Sequence, residues 1–97
     1  MLYNETICIQ GVRGDGRKIA VPALPCRFLD DGVDDFASEN GRGYNANMAT
    51  FFVPIAEWTE TKPPQVGDEI LTDLDERYIV TRVSRLADSY SIAARGR

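Results

Sequence analysis

Apolar residues recur at every second position in several short runs, and this spacing restricts the fold more than any other feature of the chain. In the run "ETICIQGV", Ile7 and Ile9 fall on one face of an extended chain, whereas Thr6, Cys8 and Gln10 fall on the other. Such alternation is typical of a β-strand that buries one face. No stretch has the spacing of a long amphipathic helix, and no internal repeat is present. The sequence therefore predicts an all-β fold.

Six such runs are separated by segments rich in Gly, Pro and Asp, which favour turns. The runs are "ETICIQGV", "KIAVPALPCRFL", "MATFFVPIAEW", "DEILT", "RYIVTRVS" and "SYSIAAR". In the first turn, "RGDGR", Gly14 and Gly16 tolerate positive φ and Asp15 can cap the bend. Gly67 and Asp68 are predicted to shape the turn that enters the fourth strand. We predict a small barrel or sandwich of about six antiparallel strands.

Prolines interrupt two of the predicted strands. Pro22 and Pro25 cannot donate a backbone hydrogen bond, so the second strand is predicted to lie at a sheet edge or to contain a bulge. Pro54 predicts an edge or a bend in the third strand. Pro63 and Pro64 stiffen the polar connector "TETKPPQ" that follows it.

Residues 30–47, "DDGVDDFASENGRGYNAN", differ in composition from the rest of the chain. Acidic, Gly and Asn residues dominate, and Val33, Phe36 and Tyr44 are the apolar anchors. A short helical turn at "VDDFASE" is one alternative, because acidic residues are favourable at a helix N-terminus. We predict instead a long flexible acidic loop within a single domain that spans residues 1–97, since a chain of this length is typical of one domain.

The formal net charge is −4, and the charged residues are unevenly distributed. The loop carries Asp30, Asp31, Asp34, Asp35 and Glu39, whereas the last quarter of the chain carries Arg77, Arg82, Arg85, Arg95 and Arg97. One interpretation is a molecule with an acidic end and a basic end that associate with copies or partners. The other is that both groups lie on solvated loop and strand faces. The negative net charge disfavours the wrapping of nucleic acid by the domain as a whole.

The chain has no histidine, which excludes Ser-His-Asp and Cys-His catalysis and removes the commonest zinc ligand. Cys8 and Cys26 lie in separate apolar strands, and without a second pair they do not make a zinc site. A disulfide between them is one alternative, and two buried free thiols in a reducing compartment are the preferred prediction. The segment "GVRGDGRK" lacks the spacing of a phosphate-binding loop, and a hairpin turn explains "RGD". We predict that the protein is not an enzyme and has no catalytic residue, cofactor or metal.

Tyr78 and Tyr90 lie near the C-terminal arginines, an arrangement that would suit contact with nucleic acid. Both tyrosines occupy strand positions that need core residues, so packing in the core is the preferred interpretation. No apolar run is long enough to span a membrane, and no basic segment followed by an apolar one suggests secretion, so we expect no secretory leader. We therefore expect synthesis in the cytosol and no membrane contact.

A strand ending in "VPIAEW", followed by a spacer and "VGDEILTDLDERYIVTRVSRLADSYSIAARG", resembles the C-terminal half of the small head–tail joining proteins of tailed bacteriophages and prophages. These proteins are also called head-closure or stopper proteins. The N-terminal hairpin "ETICIQGVRGDGRKIAVPALPCRFLDD" is similar to the opening hairpin of related minor capsid connector proteins. The positions that match the motif are Val53, Pro54, Gly67, Asp68, Tyr78, Val80, Val83 and Arg95.

The resemblance implies a structural virion protein, located at the head–tail junction and in the bacterial host cytoplasm during assembly. Proteins of this kind form a ring with six-fold symmetry that joins the portal to the tail and closes the DNA channel. The implied partners are portal or adaptor proteins, tail proteins and further copies of the chain, while genomic DNA passes nearby without specific binding. The alternative is a small β-barrel adaptor, or a nucleic-acid-binding module, of a bacterial complex.

The residues expected to make these contacts belong to the acidic loop and to the basic C-terminal strands. Opposite charges on the two faces of a subunit would help to fix the register of a ring. The predicted interaction residues are Asp30, Asp31, Asp34, Asp35, Glu39, Arg42, Tyr44, Arg82, Arg85 and Arg95.

Overall fold

The computed structural model of the protein describes residues 5–33 and 47–96, which form a closed β-barrel. The strands are β1 Glu5–Val12, β2 Lys18–Val33, β3 Asn47–Pro54, β4 Glu69–Thr72, β5 Arg77–Arg85 and β6 Ser89–Gly96. A 3-10 turn, Ile55–Glu57, follows β3, where Pro54 predicted an edge or a bend. The prediction of an all-β fold with six antiparallel strands is confirmed. Of the two predicted architectures, a barrel and a sandwich, the barrel is correct.

Neighbouring strands are antiparallel in the order β1-β2-β3-β6-β5-β4, and β4 pairs with β1 to close the barrel. Because each strand runs opposite to its neighbours, the connections alternate between the two ends of the barrel. The proximal end carries Glu5, the β4–β5 turn and Gly96. The distal end carries the β1–β2 turn, the connector between β3 and β4, and the β5–β6 turn.

The two prolines of β2 lie where they remove no hydrogen bond to β3. Residues 18–26 of β2 pair with β1, and residues 27–33 pair with β3. The register with β1 shifts after Val21, so that Pro22 and Ala23 form a bulge, as one of the two sequence alternatives predicted. The bulge also switches the inward-facing positions from odd to even numbers, with Ile19 and Val21 buried before it and Leu24 and Cys26 buried after it.

Ala23→Gly should raise the free energy of unfolding by about 0.5–1 kcal/mol. The backbone φ of Ala23 is 56°, in the left-handed region that is unfavourable for residues with a Cβ and open to glycine. Ala20→Gly, at an exposed β2 position without positive φ, is the control and should lower stability. Urea denaturation measures both variants, and equal losses of stability in the two would contradict the expectation.

Phe51 lies at the centre of an aromatic cluster in the core. Its ring centroid is 5.2 Å from the centroids of both Phe28 and Tyr78. Towards the distal end, Trp58 packs edge-on against Tyr90 at 6.3 Å, and its indole N–H donates to a connector carbonyl at 2.7 Å. Tyr78 and Tyr90 are both buried. The preferred prediction for the two tyrosines is therefore confirmed, and neither ring is available to stack on bases.

The loop predicted for residues 30–47 is too long at both ends. β2 continues to Val33 and β3 begins at Asn47, so Asp30 and Asp31 belong to a strand. Ladder hydrogen bonds join backbone groups, which allows a polar sequence to continue a hairpin. The rest of the predicted loop, residues 34–46, lies outside the described residues. In the described part of the chain, no helix is long and apolar enough to cross a membrane.

Candidate functional site

Three exposed arginines lie on the outer surface of β5 and β6. Tyr78 and Val80 of β5 point into the core, so the residues that alternate with them, Arg77 and Ile79, point outward. In the β5–β6 ladder Ile79 stands opposite Arg95, and Arg82 stands opposite Ala93. Ile79 and Ala93 are half-buried and form the apolar part of the floor between the charged groups, where the hydroxyl of Thr81 also donates to the Ala93 carbonyl at 3.2 Å. We call these residues, Arg77, Ile79, Arg82, Ala93 and Arg95, the arginine face.

The structure brings together two of the predicted interaction residues, Arg82 and Arg95. Arg85 is also exposed but lies at the distal end of β5, away from the arginine face. Among the acidic predictions, the backbones of Asp30 and Asp31 lie in β2. The remaining predicted residues, Asp34, Asp35, Glu39, Arg42 and Tyr44, lie outside the described part of the chain.

The interpretation of one acidic end and one basic end is wrong for the described arginines. β5 and β6 form a hairpin, so the start of β5 and the end of β6 meet at the proximal end of the barrel. Arg77 and Arg95 therefore lie at the same end as the points where β2 ends and β3 begins. Only Arg85 lies at the distal end among the arginines of β5 and β6. Arginines that are close in sequence are therefore not collected at one end of the barrel, because the hairpin folds the basic segment back on itself.

The turn between β4 and β5 presents an apolar side chain among carboxylates. Leu74 is 75% exposed, the highest value among the exposed large apolar side chains of the described residues. The hydroxyl oxygen of Thr72 accepts hydrogen bonds from the backbone N–H groups of Leu74 at 3.3 Å and Glu76 at 3.1 Å. Backbone bonds between Thr72 and Glu76 and between Asp75 and Thr72 complete the turn. We call Asp73, Leu74, Asp75 and Glu76 the acidic turn; it is one of the Asp-containing segments between predicted strands.

A buried ion pair joins the β1–β2 turn to the start of β4. The guanidinium of Arg13 donates from Nη1 to Oδ1 of Asp68 at 2.8 Å and from Nη2 to Oδ2 at 3.1 Å. The two side chains are 5% and 4% exposed. Asp68 also accepts a hydrogen bond from the backbone N–H of Gln65 at 3.0 Å. Two parallel bonds of this kind are the strongest arrangement available to an arginine and a carboxylate.

Two glycines make room for this ion pair. A Cβ on Gly11 would lie 2.0 Å from Oδ1 of Asp68, so no larger residue fits without displacing the carboxylate. Gly67 has a φ of 95°, and its N–H donates to the carbonyl of Val80. The N–H of Val80 donates to the carbonyl of Asp68. Gly67 thus turns the chain into β4 as predicted. The partner of Asp68, however, was not apparent from the sequence.

The ion pair also decides the interpretation of "RGD". Arg13 is buried and held by Asp68, so its guanidinium is not available at the protein surface. Asp15 accepts a hydrogen bond from the backbone N–H of Arg17 at 3.0 Å, and this bond lowers the pKa of the Asp15 carboxyl. Gly16 has a φ of 84°. The prediction that a hairpin turn explains these residues is confirmed.

An open groove of about 700 Å³ lies on the outer surface beside the ion pair. Val12 and Val66 line it and are 60% and 66% exposed, while Lys18 and Glu69 contribute one charge of each sign. The mixed charge does not select an anionic or a cationic ligand. In residues 5–33 and 47–96, no group of three or more His, Cys, Asp or Glu side chains is arranged to hold a metal ion.

Iodoacetamide should label Cys8 and leave Cys26 unmodified in the native protein at about pH 8. Both cysteines are free thiols as predicted, but the predicted burial holds only for Cys26. Cys26 is fully buried, and burial, reinforced by the carboxylates of Glu5 and Asp73, raises the pKa of its thiol to about 12. Cys8 is half-buried, and burial raises its pKa as well. Peptide mass spectrometry reads the labelling, with urea-unfolded protein as the control in which both thiols react; equal native labelling would contradict the expectation.

The same pKa shift predicts a loss of stability at high pH. In the folded protein the pKa of the Cys26 thiol is about 12, whereas in the unfolded chain it is near the ordinary value of 9.0. Stabilisation by the neutral thiol is therefore complete below pH 9.0 and decreases as the pH rises towards about 12. Cys26→Ala should remove this pH dependence, measured by urea denaturation across that interval.

No protein-family model matches the chain, and no curated protein or solved structure shows significant similarity to it. A functional proposal therefore depends on the motif resemblance and on the exposed surfaces of the barrel.

Proposed function

We propose that the protein is a structural component of a tailed-bacteriophage virion, where it forms a ring at the head–tail junction, joins the portal to the tail and closes the DNA channel. The observation that carries the proposal is the order of its motif-bearing elements. Val53 and Pro54 end β3, Gly67 and Asp68 lead into β4, and the tyrosine motif begins in β5 at Tyr78. This order resembles that of the head–tail joining proteins.

Exposed apolar side chains support a role in protein contact. Among the described residues, the large apolar side chains that are at least 39% exposed are Val12, Leu29, Val66, Leu74 and Leu86. They occupy both ends of the barrel, since Val12, Val66 and Leu86 lie distally and Leu74 lies proximally. A ring subunit meets a copy on each side and different proteins above and below, so it needs several contact surfaces.

The proposal assigns the protein to the head–tail junction of the virion and to the host cytoplasm during assembly. Its partners are the portal or adaptor, the tail and further copies of itself. It acts by contact and channel closure, without catalysis or a cofactor. Genomic DNA passes the ring without sequence-specific binding.

Deletion of the coding sequence from a phage or prophage that carries it tests the proposal. We expect DNA-filled or leaking heads and separate tails in electron micrographs, and loss of infectious particles. Expression of the intact chain in trans should restore joined particles, and a tagged copy should be found at the neck by immunogold labelling. Normal joined particles from the deletion strain would contradict the proposal, as would a tag that labels no virion.

Nucleic-acid binding is the second candidate, because the arginine face offers three exposed guanidinium groups on two adjacent strands. Arginines on a surface of this kind contact phosphates without reading sequence. A monomeric chain whose affinity for an oligonucleotide falls steeply with salt, and falls again in Arg82→Glu/Arg95→Glu, would favour this candidate. The connector proposal expects no oligonucleotide binding at about 0.15 M salt.

A further inference from the structure

We propose that the acidic turn of one copy docks on the arginine face of a second copy. The inference rests on the proposed function only for the place of the contact, which would form the subunit interface of the ring. The contact itself is argued from two surfaces of the same chain that complement each other in charge and in apolar character.

Charge is the first element of complementarity. The acidic turn carries three exposed carboxylates, those of Asp73, Asp75 and Glu76, and the arginine face carries three exposed guanidinium groups. The ion pairs found among the described side chains are Arg13–Asp68 and Arg17–Glu60. The carboxylates of the acidic turn thus form no ion pair with the arginine face of their own copy. Opposite potentials of this kind guide encounter and fix orientation.

Apolar contact is the second element. Leu74 is 75% exposed at the tip of the acidic turn, and Ile79 and Ala93 are the half-buried floor of the arginine face. On docking, Leu74 would leave water and lie on that floor, with the carboxylates around it directed at the guanidinium groups. Removal of apolar surface from water supplies the affinity, and the charges at the rim supply the orientation.

The rigidity of the acidic turn makes Leu74 suitable as a contact residue. Thr72 binds this turn through both its hydroxyl oxygen and its backbone groups. Asp75 adopts a φ of 62°, which closes the turn tightly. An ordered turn loses little conformational entropy when it binds, so more of the contact energy remains as affinity.

A contact between two different surfaces of the same chain is heterologous. Each copy then offers its acidic turn to one neighbour and its arginine face to the other, and repetition of that contact closes a ring when the rotation between copies allows it. The same geometry joins copies without any portal or tail protein. Self-association of the purified chain therefore tests the contact independently of the virion.

Analytical ultracentrifugation of the purified full chain over a range of concentrations tests the proposal, with two charge-reversed variants. Asp73→Lys/Glu76→Lys reverses the acidic turn, and Arg82→Glu/Arg95→Glu reverses the arginine face. We expect the intact chain to associate, each variant alone to associate at least about tenfold more weakly, and a 1:1 mixture of the variants to recover association. Recovery is expected because the positive turn of one variant meets the negative face of the other.

Matched controls separate this contact from general charge effects. Lys62→Glu/Arg85→Glu changes the charge by the same amount as the reversed face but acts at the distal end, and it should leave association unchanged. Leu74→Ser should weaken association at least about tenfold without altering thermal stability, because Leu74 is exposed in the single copy. Circular dichroism confirms that each variant is folded.

Three results would overturn the proposal: an intact chain that stays monomeric at the highest concentration, a mixture that does not recover association, or a control that weakens it as much as the reversed face. The outcome is distinct from that of the virion experiment. A chain that associates through these surfaces but is absent from virions would refute the proposed function and retain the contact. If the chain is found at the neck but the mixture of charge-reversed variants stays monomeric, the contact is refuted and the proposed function is retained.

Discussion

Asp68→Ala should lower the free energy of unfolding by about 3–5 kcal/mol, the largest loss we expect from a single substitution outside the apolar core. The substitution leaves the guanidinium of Arg13 buried without its carboxylate partner. It also removes the acceptor of the Gln65 backbone N–H. An uncompensated buried charge is far more costly than the loss of an exposed pair. Urea denaturation measures the effect.

The double variant Arg13→Met/Asp68→Leu is the matched test of this explanation. It removes both charges, so we expect it to be clearly more stable than Asp68→Ala, because replacing a buried ion pair by apolar side chains is often close to neutral. Arg17→Ala breaks the other ion pair, in which the Arg17 side chain is 57% exposed, and should cost less than about 1 kcal/mol. If the double variant were as unstable as the single one, the loss would not come from an unpaired charge.

Gly11→Ala should lower the free energy of unfolding by about 2–4 kcal/mol, although it adds a single methyl group. The new Cβ would lie 2.0 Å from Oδ1 and 2.8 Å from Cγ of Asp68, and 3.3 Å from Nη1 of Arg13. The carboxylate is held by Arg13 and by a backbone N–H, so it cannot move away without breaking those bonds. The expected loss therefore combines overpacking with weakening of the ion pair.

Gly14→Ala is the control for Gly11→Ala, because a Cβ at Gly14 meets no atom within 4 Å and should change stability by less than about 0.5 kcal/mol. Combination of Gly11→Ala with Asp68→Ala gives a second test. The clash disappears when the carboxylate is absent, so the double variant should lose less stability than the sum of the two single losses. Additive losses would show that Gly11 is constrained by something other than Asp68.

The strands were predictable because their signal is local. Ile7 and Ile9 in β1 and Tyr90 and Ile92 in β6 alternate with polar or smaller residues, and all four are buried as the alternation requires. Pro22 correctly predicted the bulge in β2. The inward-facing positions of β2 were harder to predict, because the bulge shifts them by one residue. The alternation of apolar residues therefore changes phase within the strand.

The candidate site was predictable only in part. Arg82 and Arg95 were identified as interaction residues, and the structure places both on the arginine face. Arg77, at the start of the same surface, was noted for its charge but left out of the interaction set. Leu74 was missed because its only signal is an apolar residue inside a polar turn, which also fits a side chain folded back onto the core. Its exposure became apparent only when the Thr72 hydrogen bonds set the shape of the turn.

The sequence by itself determined the class of the fold and the positions of the turns, because alternation, glycine and proline act on the few residues around them. The tertiary structure alone decided that β4 returns to β1 to close a barrel and that Arg13 meets Asp68. It also decided that the basic C-terminal strands lie along the barrel wall instead of at one pole. These features depend on contacts between residues more than fifty positions apart, or on the register of one strand against another. A local pattern carries no information about either, because it constrains only the backbone and side-chain directions of its own segment.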